Sequence, residues 1–137
     1  MSSPPRAVIP TGMESAGAEM MLSPAILSGD HLFLTGMTGS GADGQMPEDP
    51  ETQFRAAFDK IATVLEAAGA DWSAVVEMTS YHVGLQEHFD CFNAVRGAYV
   101  QAPFPAWTAV EVAGLRRAGA LVEIRVIARN PEGAERT

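Results

Sequence analysis

Between Asp49 and Gly69 the chain carries a helix signal that constrains everything packed around it. Phe54, Phe58, Ile61, Leu65 and Ala68 step by four, three, four and three residues, so they line one stripe of a helix. Asp49 suits the N-cap and Pro50 the first helical position, where its missing N–H costs nothing; Glu51 complements the positive end of the dipole, and Gly69 ends the pattern. A helix apolar along one stripe only has to be laid on another element, with its far side in water.

A second such helix is expected from about Gln86 to Val100, with Phe89, Phe92 and Tyr99 on its stripe and Asn93 beside it. The remaining signals are strands. Arg6 to Ile9 is a short run ended by Pro10. Met20 to Ser28 is a second, broken by Pro24 and so suited to a sheet edge. Ser28-Gly29-Asp30 turns the chain into His31–Met37, which predicts a hairpin. Asp71 caps a short turn. From Val75 to Val83 the alternation puts Val76, Met78, Ser80 and His82 on one face and Glu77, Thr79, Tyr81 and Val83 on the other.

Three strands, helix, strand, helix and two strands, with both long helices apolar on one side, predict an α+β fold. It is a two-layer sandwich: one mostly antiparallel six-stranded sheet with two helices on one face. At 137 residues the chain is expected to form a single domain spanning 1–137, with loose tails at about 1–5 and 131–137.

The last two strand signals lie in Pro103–Arg129. In Trp107–Val112, residues Thr108, Val110 and Val112 share one face and Trp107, Ala109 and Glu111 the other. In Leu121–Ala128 one face is wholly apolar (Val122, Ile124, Val126, Ala128) and the other mixed (Leu121, Glu123, Arg125, Ile127). Gly114, Arg116, Arg117 and Gly119 read as the turn of a hairpin between them. Antiparallel pairing, apolar face to apolar face, places Trp107 opposite Glu123 or Arg125. It gathers Trp107, Glu111, Glu123 and Arg125 in one patch, either a small-molecule site or a subunit seam. The mixed face is too apolar for full hydration, and a symmetric oligomer would cover it.

In this stretch Pro105-Ala106-x-Thr108-x-Val110-Glu111-Val112-Ala113-x-Leu115, then Ala120-Leu121-Val122-Glu123-Ile124 and Ile127-Ala128, closely resembles the C-terminal motif of the RidA (YjgF) family of enamine and imine deaminases. The resemblance extends over most of the chain. It implies a chorismate-mutase-like fold and a cytoplasmic homotrimer with small-molecule ligand pockets between subunits. Glu123 takes the place of the family's water-positioning, catalytic glutamate, and Thr35 and Gly36 that of its small hydroxyl residue and glycine. The substrate-binding candidates are Thr35, Gly36, Trp107 and Thr108, together with Arg125 at a position where the family usually has an acidic residue.

One departure matters. Catalytic relatives carry an arginine directly after Pro-Ala to grip the substrate carboxylate, and here that residue is Trp107. Exchanging a bidentate guanidinium for an indole removes charge-assisted hydrogen bonds worth about one to three decades in anion affinity. Trp107 either stacks on a planar ligand or plugs the pocket. Arg125 either replaces the missing guanidinium or stacks on Trp107, and the stack is favoured. Glu123 either orients a water or pairs with Arg125 or a residue across the seam.

Other chemistries find little support. A net charge of −8 and nine scattered basic residues argue against nucleic acid as a partner and against the ribonuclease activity sometimes attached to the family. No apolar run reaches the roughly 20 residues of a membrane span, and no signal segment opens the chain, so a soluble, intracellular protein is expected. Gly39, Gly41 and Gly44 are spaced as GxGxxG, but Pro47 and Pro50 delay the helix that a dinucleotide site needs. No cofactor is expected, and His31, His82 and His88 share no metal-ligand spacing. Cys91, the one cysteine, reads as an apolar filler on a helix.

Overall fold

The computed structural model describes residues 4–131. The two expected tails therefore lie almost wholly outside the described residues. The chain runs β1 (Arg6–Val8), α1 (Glu14–Met20), β2 (Ala25–Ser28), β3 (His31–Leu34), α2 (Pro50–Ala67), a 3₁₀ turn (Trp72–Ala74), β4 (Val75–His82), α3 (Leu85–Arg96), β5 (Ala106–Glu111) and β6 (Val122–Arg129). One six-stranded sheet has the order β1-β2-β3-β6-β4-β5, antiparallel throughout except for the parallel pair β4–β5. Both long helices lie on one face, as the one-sided stripes require.

The helix signal at Asp49 translates directly. The Asp49 carboxylate accepts from Thr52 N at 2.9 Å and Thr52 Oγ1 at 2.8 Å, and the helix starts at Pro50. Phe54, Phe58, Ile61 and Leu65 are fully buried, worth roughly 1.5–3 kcal/mol each in removed apolar surface. From α3, Phe92 meets Phe54 edge-on at 5.3 Å and Phe58 at 5.6 Å, so the two helices share one aromatic seam. Beneath it lies β6, whose Val122, Ile124, Val126 and Ala128 are at most 1% exposed, the interior of a central strand.

Two expectations need correction. The runs at Trp107 and Leu121 do not form a hairpin. After α3 the crossover lays β5 parallel to β4, at the sheet edge (Met78 with Trp107, Ser80 with Ala109), and β6 inserts between β3 and β4. The face of β5 that meets the helices is thus the one with Trp107, Ala109 and Glu111, not the one with Thr108 and Val110. The second correction is smaller: β4 bulges between Val75 and Glu77, so Val75 points inward and Val76 is 40% exposed. The short helix α1 was not anticipated, because its seven residues are exposed apart from Gly17 and carry no periodic stripe.

Candidate functional site

The bare face of the sheet, away from the helices, carries Glu123, Arg125 and Thr108 of the residues singled out for chemistry. Register places Arg125, Thr79 and Thr108 in one row across β6, β4 and β5, with Glu123, Tyr81 and Val110 in the next. Glu123 is half-buried and Arg125 exposed. Among the described residues neither side chain has a hydrogen-bond or ion-pair partner, so the carboxylate is not neutralised by the guanidinium two residues on.

Gly36 completes the corner. Beyond β3 the chain continues against β6, with Met37 and Ile124 exchanging both backbone hydrogen bonds at 2.8 and 2.9 Å. This brings Gly36 under Glu123: a Cβ on Gly36 would stand 2.5 Å from Glu123 Oε2 and 3.0 Å from its Cδ. Only a residue without a side chain lets the carboxylate lie there. Thr35 is turned to a structural task, its hydroxyl donating to Ser23 O at 2.6 Å.

Trp107 lies elsewhere. Its indole points into the helix layer, stacked on Phe89 at 5.9 Å and 8° and tilted against Phe92 at 6.1 Å. Its Nε1–H donates to Ser80 Oγ at 2.9 Å, and the Arg96 guanidinium sits 3.8 Å above the ring. The cation on Trp107 is therefore Arg96 of α3 and not Arg125, because the sheet separates the indole from the Glu123 face. Within one chain the structure brings Gly36, Glu123, Arg125 and Thr108 to one face and leaves Trp107 on the other. Glu111 also leaves the expected patch: its carboxylate accepts from Gly84 N at 3.1 Å and Leu85 N at 2.6 Å and caps α3, which holds it below the usual carboxylate range.

Behind Trp107 a polar chain runs into the core. Ser80 and His82 are buried, with Ser80 Oγ 2.8 Å from His82 Nε2. Ser80 Oγ, which already accepts from the indole, can accept from or donate to Nε2 according to the tautomer of the buried imidazole. Burial lowers its pKa to about 4. This Ser–His pair is sealed from substrate and serves to hold Trp107. His88 is half-buried beside Phe54, and burial pushes the Cys91 thiol up, away from thiolate character. Among the described residues no three His, Cys, Asp or Glu side chains converge as metal ligands.

A half-buried carboxylate thus lies on the bare face of a helix-backed six-stranded sheet, seated on a glycine of the neighbouring segment, in an α+β protein with an open sheet face. The family model described as Endoribonuclease L-PSP matches residues 13–130. The RutC family protein YjgH of Escherichia coli is 42% identical over 92% of this chain and 95% of its own. A 2-iminobutanoate/2-iminopropanoate deaminase of Capra hircus is 35% identical over 93% of each chain. The solved structure of protein YjgH superposes with a TM-score of 0.84 at 41% identity, covering 92% of this chain and 96% of the other. The chain belongs to the RidA (YjgF) family. No helix among the described residues is long and apolar enough to cross a membrane.

Proposed function

We propose that this protein is a small-molecule-binding RidA-type hydrolase that converts reactive enamines and imines to carbonyl compounds and ammonia. The observation that carries the reading is the Glu123 carboxylate, half-buried over Gly36 and without a partner among the described residues. In the reaction the carboxylate takes a proton from water as the water oxygen bonds to the imine carbon and passes it to nitrogen, giving a carbinolamine; it then carries the hydroxyl proton to the amine as the C–N bond breaks, leaving the carbonyl and ammonia. Arg125, without a partner among the described residues and in the same row as Thr108, holds a carboxylate or other acceptor on the substrate, a task the family gives to the position of Trp107. Thr35 and Gly36 shape the pocket floor, and Trp107 bounds it only from a neighbouring subunit of a homotrimer. The half-buried Ile127 and the 37% exposed Phe33 on the same sheet face suit such an assembly.

The locked position of Trp107, which leaves its site on β5 without a guanidinium, favours a second reading: a ligand-binding or regulatory module on the same scaffold, without turnover. Ammonia release from freshly generated 2-iminopropanoate and from an uncharged imine separates the two. The hydrolase reading expects turnover, its loss in Glu123→Gln, and a raised KM for the acid alone in Arg125→Ala. A native chain no faster than buffer refutes it.

A further inference from the structure

The glycine loop that fails as a dinucleotide motif has a different feature. Gly39 is pressed against α2 so closely that a Cβ there would stand 2.3 Å from Gln53 O, and the flanking Thr38 and Ser40 are 6% and 9% exposed. Their hydroxyls are linked: Thr38 Oγ1 accepts from Ser40 N at 3.4 Å and donates to Ser40 Oγ at 3.3 Å. From α2, Lys60 Nζ donates to the same Ser40 Oγ at 3.0 Å. Ser40 Oγ thus accepts twice, and its own proton remains to be given outward.

Arg117 arrives from the β5–β6 connection. Its Nη1 would lie 4.0 Å from a Cβ on Gly44, so the guanidinium sits over the same loop, and its charge acts on the Lys60 ammonium. Neither cation has a carboxylate partner among the described residues, in a chain with 17 acidic side chains against nine basic ones. Lys60 reaches the Ser40 hydroxyl and Arg117 lies over the Gly44 end of the same loop, where its charge weighs on the half-buried ammonium, and two like charges so placed are a costly arrangement for the chain alone. A dianion with several acceptor oxygens would neutralise both charges and take the Ser40 proton.

We propose that Lys60, Arg117 and Ser40 on the Gly39–Gly44 loop bind a tetrahedral oxyanion: inorganic phosphate or the phosphate group of a phosphomonoester. The site is built by α2 and two loops and shares no residue with the Glu123 face. An anion there cross-links α2, the glycine loop and the β5–β6 connection, three segments otherwise joined by Gln53, whose amide donates to Pro47 O and Gly119 O and accepts from Leu121 N.

The test is calorimetric titration of the full chain with inorganic phosphate and with glycerol 3-phosphate, at ionic strength held constant with chloride. Saturable binding is expected, weakened at least tenfold in Lys60→Met and in Arg117→Ala. The second variant lies on an exposed loop and leaves the fold intact. Equal affinity for the two ligands identifies free phosphate as the occupant, and tighter binding of the ester identifies a phosphorylated metabolite. By NMR, phosphate should return the Lys60 amine from about 8 toward its ordinary 10.5, since burial and then Arg117 hold it down. The proposal is overturned if neither anion binds saturably in the millimolar range, or if binding survives both substitutions. It is equally overturned if no anion binds and Arg117→Ala changes the oligomer, the behaviour of a cation pair that meets a carboxylate of a second copy.

Discussion

Restoring the family's arginine at position 107 should destabilise this protein, even though it is the residue the reaction uses elsewhere. In Trp107→Arg the stack on Phe89 and Phe92 is lost. An indole of roughly 200 Å², about half removed from water, contributes about 2.5 kcal/mol, of which the arginine stem recovers about 1. The donor to Ser80 disappears, costing about 1 kcal/mol. The Arg96 cation, 3.8 Å above the ring in the native chain, changes from an attraction of about 0.5–1 kcal/mol to a like-charge contact. The net loss is about 3 kcal/mol, a large share of the roughly 5–15 kcal/mol that holds a domain together. Urea unfolding, with the midpoint read at constant m-value, measures it. A second substitution, Arg96→Glu, should recover about 1 kcal/mol in the Trp107→Arg background and none in the native one. A Trp107→Arg chain within 1 kcal/mol of native would refute the reasoning and mean that the Trp107 environment rearranges freely.

His82 predicts an acid-sensitive core. Its folded pKa, about 4, lies below the ordinary 6.5 because burial penalises the imidazolium, with only a small opposing pull from Glu111. The stability this neutral ring contributes is therefore complete above pH 6.5 and lost as pH falls toward 4, up to about 3 kcal/mol and nearer 2 once solvent penetration is allowed. In His82→Gln the difference between urea midpoints at pH 7.5 and 4.5 should shrink accordingly. Gln53→Ala removes three hydrogen bonds from a side chain 1% exposed and should cost about 2–4 kcal/mol, with the Leu121 amide exchanging faster in deuterium oxide. Glu111→Ala uncaps α3, so the Leu85 amide should exchange faster while the sheet amides stay unchanged. Gly36→Ala drives a methyl into the Glu123 carboxylate, and ammonia release should fall about 10–100-fold through kcat, by analogy with the cost of misplacing a reacting group by an ångström.

Several elements were legible because their signals are local. The α2 stripe, its Asp49 cap, the Asp71 cap and the β2–β3 hairpin each depend on residues within a few positions of one another, and each forms as the spacing predicts. The inward row of β6 was equally plain. Motif resemblance brought Glu123 and Gly36 forward together, and the backbone pairing of Met37 with Ile124 gives that pair its physical meaning.

Alternation determines which face of a strand is apolar, but every strand offers the same row of N–H and C=O groups, so its neighbour is chosen by the whole sheet. That is why β5 lies parallel to β4, why β6 entered between β3 and β4, and why Trp107 meets Arg96 and Ser80 rather than Glu123 and Arg125. The approach of Lys60 to Ser40 and of Arg117 to the Gly44 end of the same loop, from far along the chain, likewise carries no local signature. By itself the sequence determined the two long helices, the Asp49 and Asp71 caps, the faces of most strands and the family. Only the tertiary structure decided which side chains share a face in space, because backbone pairing and layer packing join residues with no spacing relation to one another.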